Sequence, residues 1–254
     1  MSILIKRPLP TSMFSKEVQK YLDAHEFKEF SPRAVFFDMD GVLFDSMPNH
    51  ANSWSKICTE FGLDMSPEEA FMHEGRTGEA TINILTQKYW NRKATAEEVQ
   101  QIYEAKCQVF NACPEPPKMP GATQVLQAVK EAGLAIYVVT GSGQLSLLNR
   151  LATHFPGFFV PEHIISSKHV KYGKPHPEPY LMALEKAAVH PWEAIVIENA
   201  PLGVQAATAA QIFTVAVNTG PLPESALIES GTDLLFPSMT TLAEHIKHLL
   251  FVRP

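Results

Sequence analysis

A chain of 254 residues in which 45% are apolar and 19% charged is long enough to bury a full α/β core, with or without a smaller inserted domain, and its composition excludes a disordered protein. A formal charge of -6 without a dense Lys/Arg run argues against nucleic acid or an anionic membrane surface as partner. Cys58, Cys107 and Cys113 form no CxxC pair, so neither a disulfide framework nor a zinc site is suggested, and no apolar run nears the roughly 20 residues of a membrane span. The expectation is a soluble cytoplasmic protein, monomeric or weakly homo-oligomeric, that binds a small molecule.

Phe14, Val18, Tyr21 and Leu22 are spaced to line one face of a short helix within an N-terminal extension, residues 1–32. The run Ala34–Phe37 is continuously apolar and stops at Asp38, as a strand buried on both faces does. Residues 49–112 then carry only helical spacing, over 49–61, 67–73, 79–90 and 96–111, and Trp54 and Phe61 fall on one face as core. The proline-rich segment 114–121 that follows cannot continue a helix and suits a stiff hinge. Beyond it, strands at 134–139, 163–166, 194–197, 212–217 and 233–236 alternate with helices at 121–132, 144–152, 177–189, 201–210, 223–230 and 239–250. Such alternation predicts a doubly wound parallel sheet, built from 33–48 and 113–254, with 49–112 as an inserted helical cap.

Ligands gather at the carboxyl edge of open parallel sheets, and four chemistry-bearing segments fall at that edge. Asp38 and Asp40 stand two residues apart beyond the first strand, which suits one carboxylate to attack phosphorus and the other to move protons. Thr140, Gly141 and Ser142 offer a hydroxyl and backbone N–H groups to a phosphate, although alone they read as a turn with Ser142 as N-cap. Lys174 stands among prolines that would hold its ammonium still beside a phosphate. Glu198 and Asn199 close the fourth strand. Together with Asp38 and the Asp40 carbonyl they offer oxygen ligands of the kind magnesium takes, Glu198 directly or through water.

In this combination the chain resembles the haloacid dehalogenase superfamily over about residues 33–240. The matching motifs are Phe37-Asp38-Met39-Asp40-Gly41, Val139-Thr140-Gly141-Ser142, Lys174-Pro175 and Ile197-Glu198-Asn199. A helical insertion directly after the first motif is similar to the β-phosphoglucomutase-like branch. The resemblance implies a magnesium-dependent phosphohydrolase with an aspartyl-phosphate on Asp38, acting on a small phosphorylated metabolite, possible substrates being pyrophosphate and sugar phosphates. A β-phosphoglucomutase and a catalytically silent binder are the alternatives.

The branch normally has an aspartate where this chain has Asn199, which removes one negative charge from the metal site and favours a more highly charged substrate such as pyrophosphate. Substrate choice in this branch usually comes from the cap loop, here residues 73–78. Within it Arg76 would grip an anionic end, and Glu74 would face a hydroxyl or the water around a magnesium-pyrophosphate complex, or else simply end a helix in solvent. His50 matches a hinge-side histidine of β-phosphoglucomutase and would steer the proton of Asp40, or only pack the hinge.

Overall fold

The computed structural model describes residues 13–143 and 145–251. Among these residues six strands form one sheet in the order β3-β2-β1-β4-β5-β6: β1 (Ala34–Phe37), β2 (Ala135–Val139), β3 (Ile164–Ile165), β4 (Ala194–Glu198), β5 (Phe213–Val217) and β6 (Leu234–Phe236). Every pairing is parallel, with Phe37 opposite Val138 on one side and Ile197 on the other. The chain runs outward from β1 through β2 to β3 and returns to the far side of β1 as β4, so the order reverses between β1 and β4. A crevice opens at such a reversal because the two connections leave in opposite directions.

Each strand is apolar throughout because both faces are covered. Val35 and Phe37 point into a cluster shared with Ile195, Phe213 and the helices α1 (Ser15–His25), α6 (Ala122–Glu131) and α11 (Met239–Leu250). Ala34 and Phe36 point the other way, against Tyr180 and Ala207 of α8 (Glu178–Ala187) and α9 (Pro201–Ala209). The N-terminal stripe forms as expected: Val18, Tyr21 and Leu22 are buried, and the Tyr21 hydroxyl donates to the Gln211 carbonyl. Helix α7 (Leu145–His154) follows β2; the expected first residue of that helix, Gln144, lies outside the described residues, as do residues 1–12 of the N-terminal extension. Helix α10 (Glu224–Glu229) joins β5 to β6.

Between β1 and α6 stand four helices, α2 (Met47–Glu60), α3 (Pro67–Met72), α4 (Gly78–Trp90) and α5 (Ala96–Ala112). The first begins two residues earlier than its spacing suggested, because Met47-Pro48 enters as its first turn, where a proline lacks no bond it would otherwise make. Ser66, Thr77 and Thr95 cap the other three, and Thr95 with Glu98 closes a capping box. These helices hold a separate core around Trp54, Ile57, Ile82, Leu85 and Ile102. The two chain crossings to the sheet domain lie side by side: Asp45 N donates to the Pro117 carbonyl and Met119 N to the Leu43 carbonyl. Among the described residues, no helix is long and apolar enough to cross a membrane.

Candidate active site

Asp38 extends the β1 ladder by one residue, its N–H donating to the Ile197 carbonyl, so its side chain stands at the β1/β4 reversal. There its Oδ1 accepts from Lys174 Nζ at 2.5 Å. The same ammonium reaches Glu198 Oε1 at 2.5 Å and the Val139 carbonyl at 2.9 Å, so all three of its N–H groups are used. Glu198 is held as firmly, with Oε1 accepting from the Tyr180 hydroxyl and Oε2 from the backbone N–H of Asn199 and Ala200. Glu198, expected among the magnesium ligands directly or through water, uses both oxygens here to position Lys174 and the turn into α9.

Asp40 occupies a different environment. Its Oδ1 accepts from Ser46 Oγ at 2.5 Å and lies 3.0 Å from His50 Nε2. His50 Nδ1 is in turn 2.7 Å from Lys106 Nζ. An ammonium can only donate, so Lys106 in its charged form fixes the His50 proton on Nε2, facing Asp40. Lys106 is buried with its ammonium over the rings of Trp54 and Phe110, and burial brings its pKa down to about 8. Burial, then the Lys106 charge, lowers His50, so it stays neutral. For Asp40 burial is the largest influence and opposes ionisation, but the bonds from His50 and Ser46 prevail and hold its carboxyl below the ordinary value.

The loop after β2 completes the wall. Thr140 Oγ1 accepts from Ser142 N at 3.0 Å, and Thr140, Gly141 and Ser142 border a cleft of about 60 Å³ with Asp38, Asp40 and His50. Glu74 and Arg76 border it from the segment between α3 and α4. Backbone meets backbone at this seam: a Cβ on Gly141 would overlap the Gly75 carbonyl, and one on Gly173 would strike the Thr77 side chain. The helical insertion is therefore closed down on the sheet.

Asp38, Asp40 and Glu74 on the cleft and Glu198 behind it gather around the buried Lys174. Burial, with the charges of Glu198 and Asp40, pushes the Asp38 carboxyl above the ordinary range against the pull of Lys174. Burial and the Asp38 charge push Glu74 well above it. Glu74 Oε1 accepts from Asn199 Nδ2 at 2.8 Å, which leaves Asn199 Oδ1 buried without a hydrogen-bond partner. Among the described residues no three His, Cys, Asp or Glu side chains form a metal cluster. A magnesium ion nevertheless fits what is present, since it takes one or two carboxylates, neutral carbonyl oxygens and water, and Asn199 Oδ1 is an oriented, unused oxygen in a pocket of excess negative charge.

Of the residues singled out in the sequence, Asp38, Asp40, His50, Glu74, Arg76, Thr140, Gly141 and Ser142 share the cleft, whereas Lys174 and Asn199 stand behind it with Glu198. Sequence reasoning missed Ser46, Lys106 and Tyr180. Lys106 left one signal, a lysine on the apolar stripe of α5 between Ile102 and Phe110. Ser46 and Tyr180 left none, because their partners lie on other elements.

With this geometry in place, comparison with known proteins becomes specific. The profile of haloacid dehalogenase-like hydrolases matches residues 32–211, and the chain belongs to that family as a phosphatase-type hydrolase. Hexitol phosphatase A of Escherichia coli is 31% identical over 194 residues, spanning 73% of this chain and 83% of its own. A Thermotoga maritima phosphatase of phosphorylated carbohydrates is 28% identical over 204 residues, 78% of this chain and 91% of its own. Among solved structures, a Bacteroides vulgatus protein provisionally described as a β-phosphoglucomutase superposes with a TM-score of 0.90 at 53% identity, covering 93% of this chain and 96% of that one.

Proposed function

We propose that the protein is a magnesium-dependent phosphohydrolase that acts through an aspartyl-phosphate on Asp38. The observation that carries this reading is the contrast between two nearby carboxylates: Asp38 is bonded to the fixed ammonium of Lys174, and Asp40 to the Ser46–His50–Lys106 chain. Separate environments suit separate tasks. An Asp38 oxygen attacks phosphorus as the bond to the leaving oxygen breaks. The proton that the leaving oxygen needs comes from Lys106 and reaches it through His50 and Asp40, which is left ionised once more. Water then attacks the aspartyl-phosphate, and Asp40, ionised again, takes the water's proton, releasing orthophosphate and free Asp38.

Magnesium, held by Asp38, Asn199 Oδ1 and the Asp40 carbonyl, would neutralise phosphate charge in this step. Lys174 supplies a second positive charge and Thr140, Gly141 and Ser142 supply the donors. The closed cleft favours a small phosphorylated metabolite. The Glu74–Asn199 contact supports inorganic pyrophosphate as substrate, because a protonated Glu74 can donate where an ionised one would repel. The phosphatases of sugar and hexitol phosphates among the relatives support a phosphorylated sugar.

The test is phosphate release with and without magnesium from pyrophosphate, hexitol phosphates and β-glucose 1-phosphate, with Asp38→Asn as control. Release lost in Asp38→Asn bears the proposal out. Conversion of β-glucose 1-phosphate to glucose 6-phosphate without free phosphate would replace it with the mutase reading, which the Bacteroides vulgatus neighbour favours.

A further inference from the structure

The catalytic cleft does not end in solvent on the α5 side. It is bordered there by Tyr103, and beyond Tyr103 lies a second recess of about 230 Å³ between Glu79 and Gln100 on the helical insertion and Ser167 and Lys171 on the sheet domain. Gly78 and Tyr103 border both cavities, whereas the other lining residues belong to one or the other.

The ring is fitted to this place. A Cβ on Gly78 would overlap Cδ2 and Cε2 of the Tyr103 ring, so the first residue of α4 can only be a glycine while the ring lies there. At its far end the phenol faces the backbone N–H of Gly143, in the loop that carries Thr140 and Ser142, and burial holds the phenol above its ordinary value. Tyr103 thus spans from the helical insertion to the sheet domain, and this wall exists only while the two are closed together.

We propose that Tyr103 is a specificity-determining residue that separates the catalytic cleft from the adjoining recess and so limits the length of substrate that the closed enzyme accepts. The inference rests on the phosphohydrolase reading. The cleft, at about 60 Å³, is the smaller of the two and suits a phosphoryl group with a short remainder. The recess is nearly four times larger. Its Lys171 and Gln100 can meet the distal hydroxyls or second phosphate of a longer phosphorylated substrate, while Glu79 disfavours a bare anion placed beside it.

The experiment compares kcat/KM for a short and a long substrate of one chemical series, glycerol phosphate against a disaccharide phosphate, in the wild type and in Tyr103→Leu and Tyr103→Met. Both replacements are good helix formers, chosen to keep α5 intact, and thermal unfolding checks that they do. The wild type is expected to favour the short substrate by about tenfold or more, and each truncation to shrink that ratio by about tenfold through the long substrate's kcat/KM. Adding Ser167→Phe to Tyr103→Leu, which refills the recess from the sheet side, is expected to restore the preference. Equal use of both substrates by the wild type would overturn the inference even if no truncation folds, and so would an unchanged ratio in folded variants. Failure of the phosphohydrolase reading looks different, since no substrate would then release phosphate in an Asp38-dependent way.

Discussion

Replacing Lys174 with methionine keeps much of its stem and removes its charge. Asp38 Oδ1 and Glu198 Oε1 each lie 2.5 Å from Nζ, so these oxygens are no more than about 5 Å apart. At an effective dielectric near 20, two unit charges at about 5 Å repel by about 3 kcal/mol, equivalent to roughly two pKa units. Two consequences follow for Lys174→Met. One carboxylate takes up a proton near neutrality, and unfolding free energy falls by about 3–5 kcal/mol at pH 8, as for other buried pairs that lose one partner. At pH 5 the loss is smaller, because the unpartnered acids then carry their protons in the folded state at less cost. The catalytic loss expected from removing a fixed charge about 4 Å from a phosphoryl group is about 4 kcal/mol, or roughly a thousandfold in kcat. Denaturant unfolding at the two pH values and steady-state phosphate release measure these effects. A stability loss equal at pH 5 and pH 8, or a kcat within about tenfold of the wild type, would refute the reasoning.

Three further outcomes are expected. Asp38 and Glu74 are raised above their unfolded values, so they hold protons that the unfolded chain releases. Their stabilising contribution is therefore complete below about pH 4 and is lost as pH rises through the folded values. Metal-free protein should melt lower at pH 8 than at pH 5, with magnesium offsetting the difference and releasing protons as it binds, seen by calorimetry in two buffers; Glu74→Gln should flatten the slope. Lys106 has a pKa of about 8, so the proton route through His50 weakens above that pH. Lys106→Met should lower kcat by about a hundredfold and remove the alkaline limb near pH 8 from its pH profile. Gly41 has a φ of 80° and a Cβ there would overlap Asn199 Nδ2. Gly41→Ala should therefore weaken magnesium binding, measured by titration, more than it lowers the melting temperature.

The sequence by itself determined the strands and most of the helices of this protein. Runs such as Ala34–Phe37 and Ala194–Ile197 are apolar at every position, which has one explanation in a parallel sheet covered on both faces, and the spacing of Val18, Tyr21 and Leu22 marks a buried helix face in the same local way. Asp38, Asp40, Thr140 and Asn199 were legible for the related reason that each follows an apolar strand, where the backbone itself delivers a side chain to the sheet edge. What the residues there do to one another was not legible. That Glu198 accepts from Tyr180, Lys174 and two backbone N–H groups could not be read from its place at the end of a strand. Lys106 lies on the apolar stripe of α5, but its partner is set only when α5 packs on α2 and brings it against His50, and the Gly78 seat for Tyr103 exists only because α4 and α5 cross there. Strand and helix pattern is written in neighbours along the chain, whereas hydrogen-bond partners and the charge state of a buried acid depend on groups far away in sequence, and those were decided only by the tertiary structure.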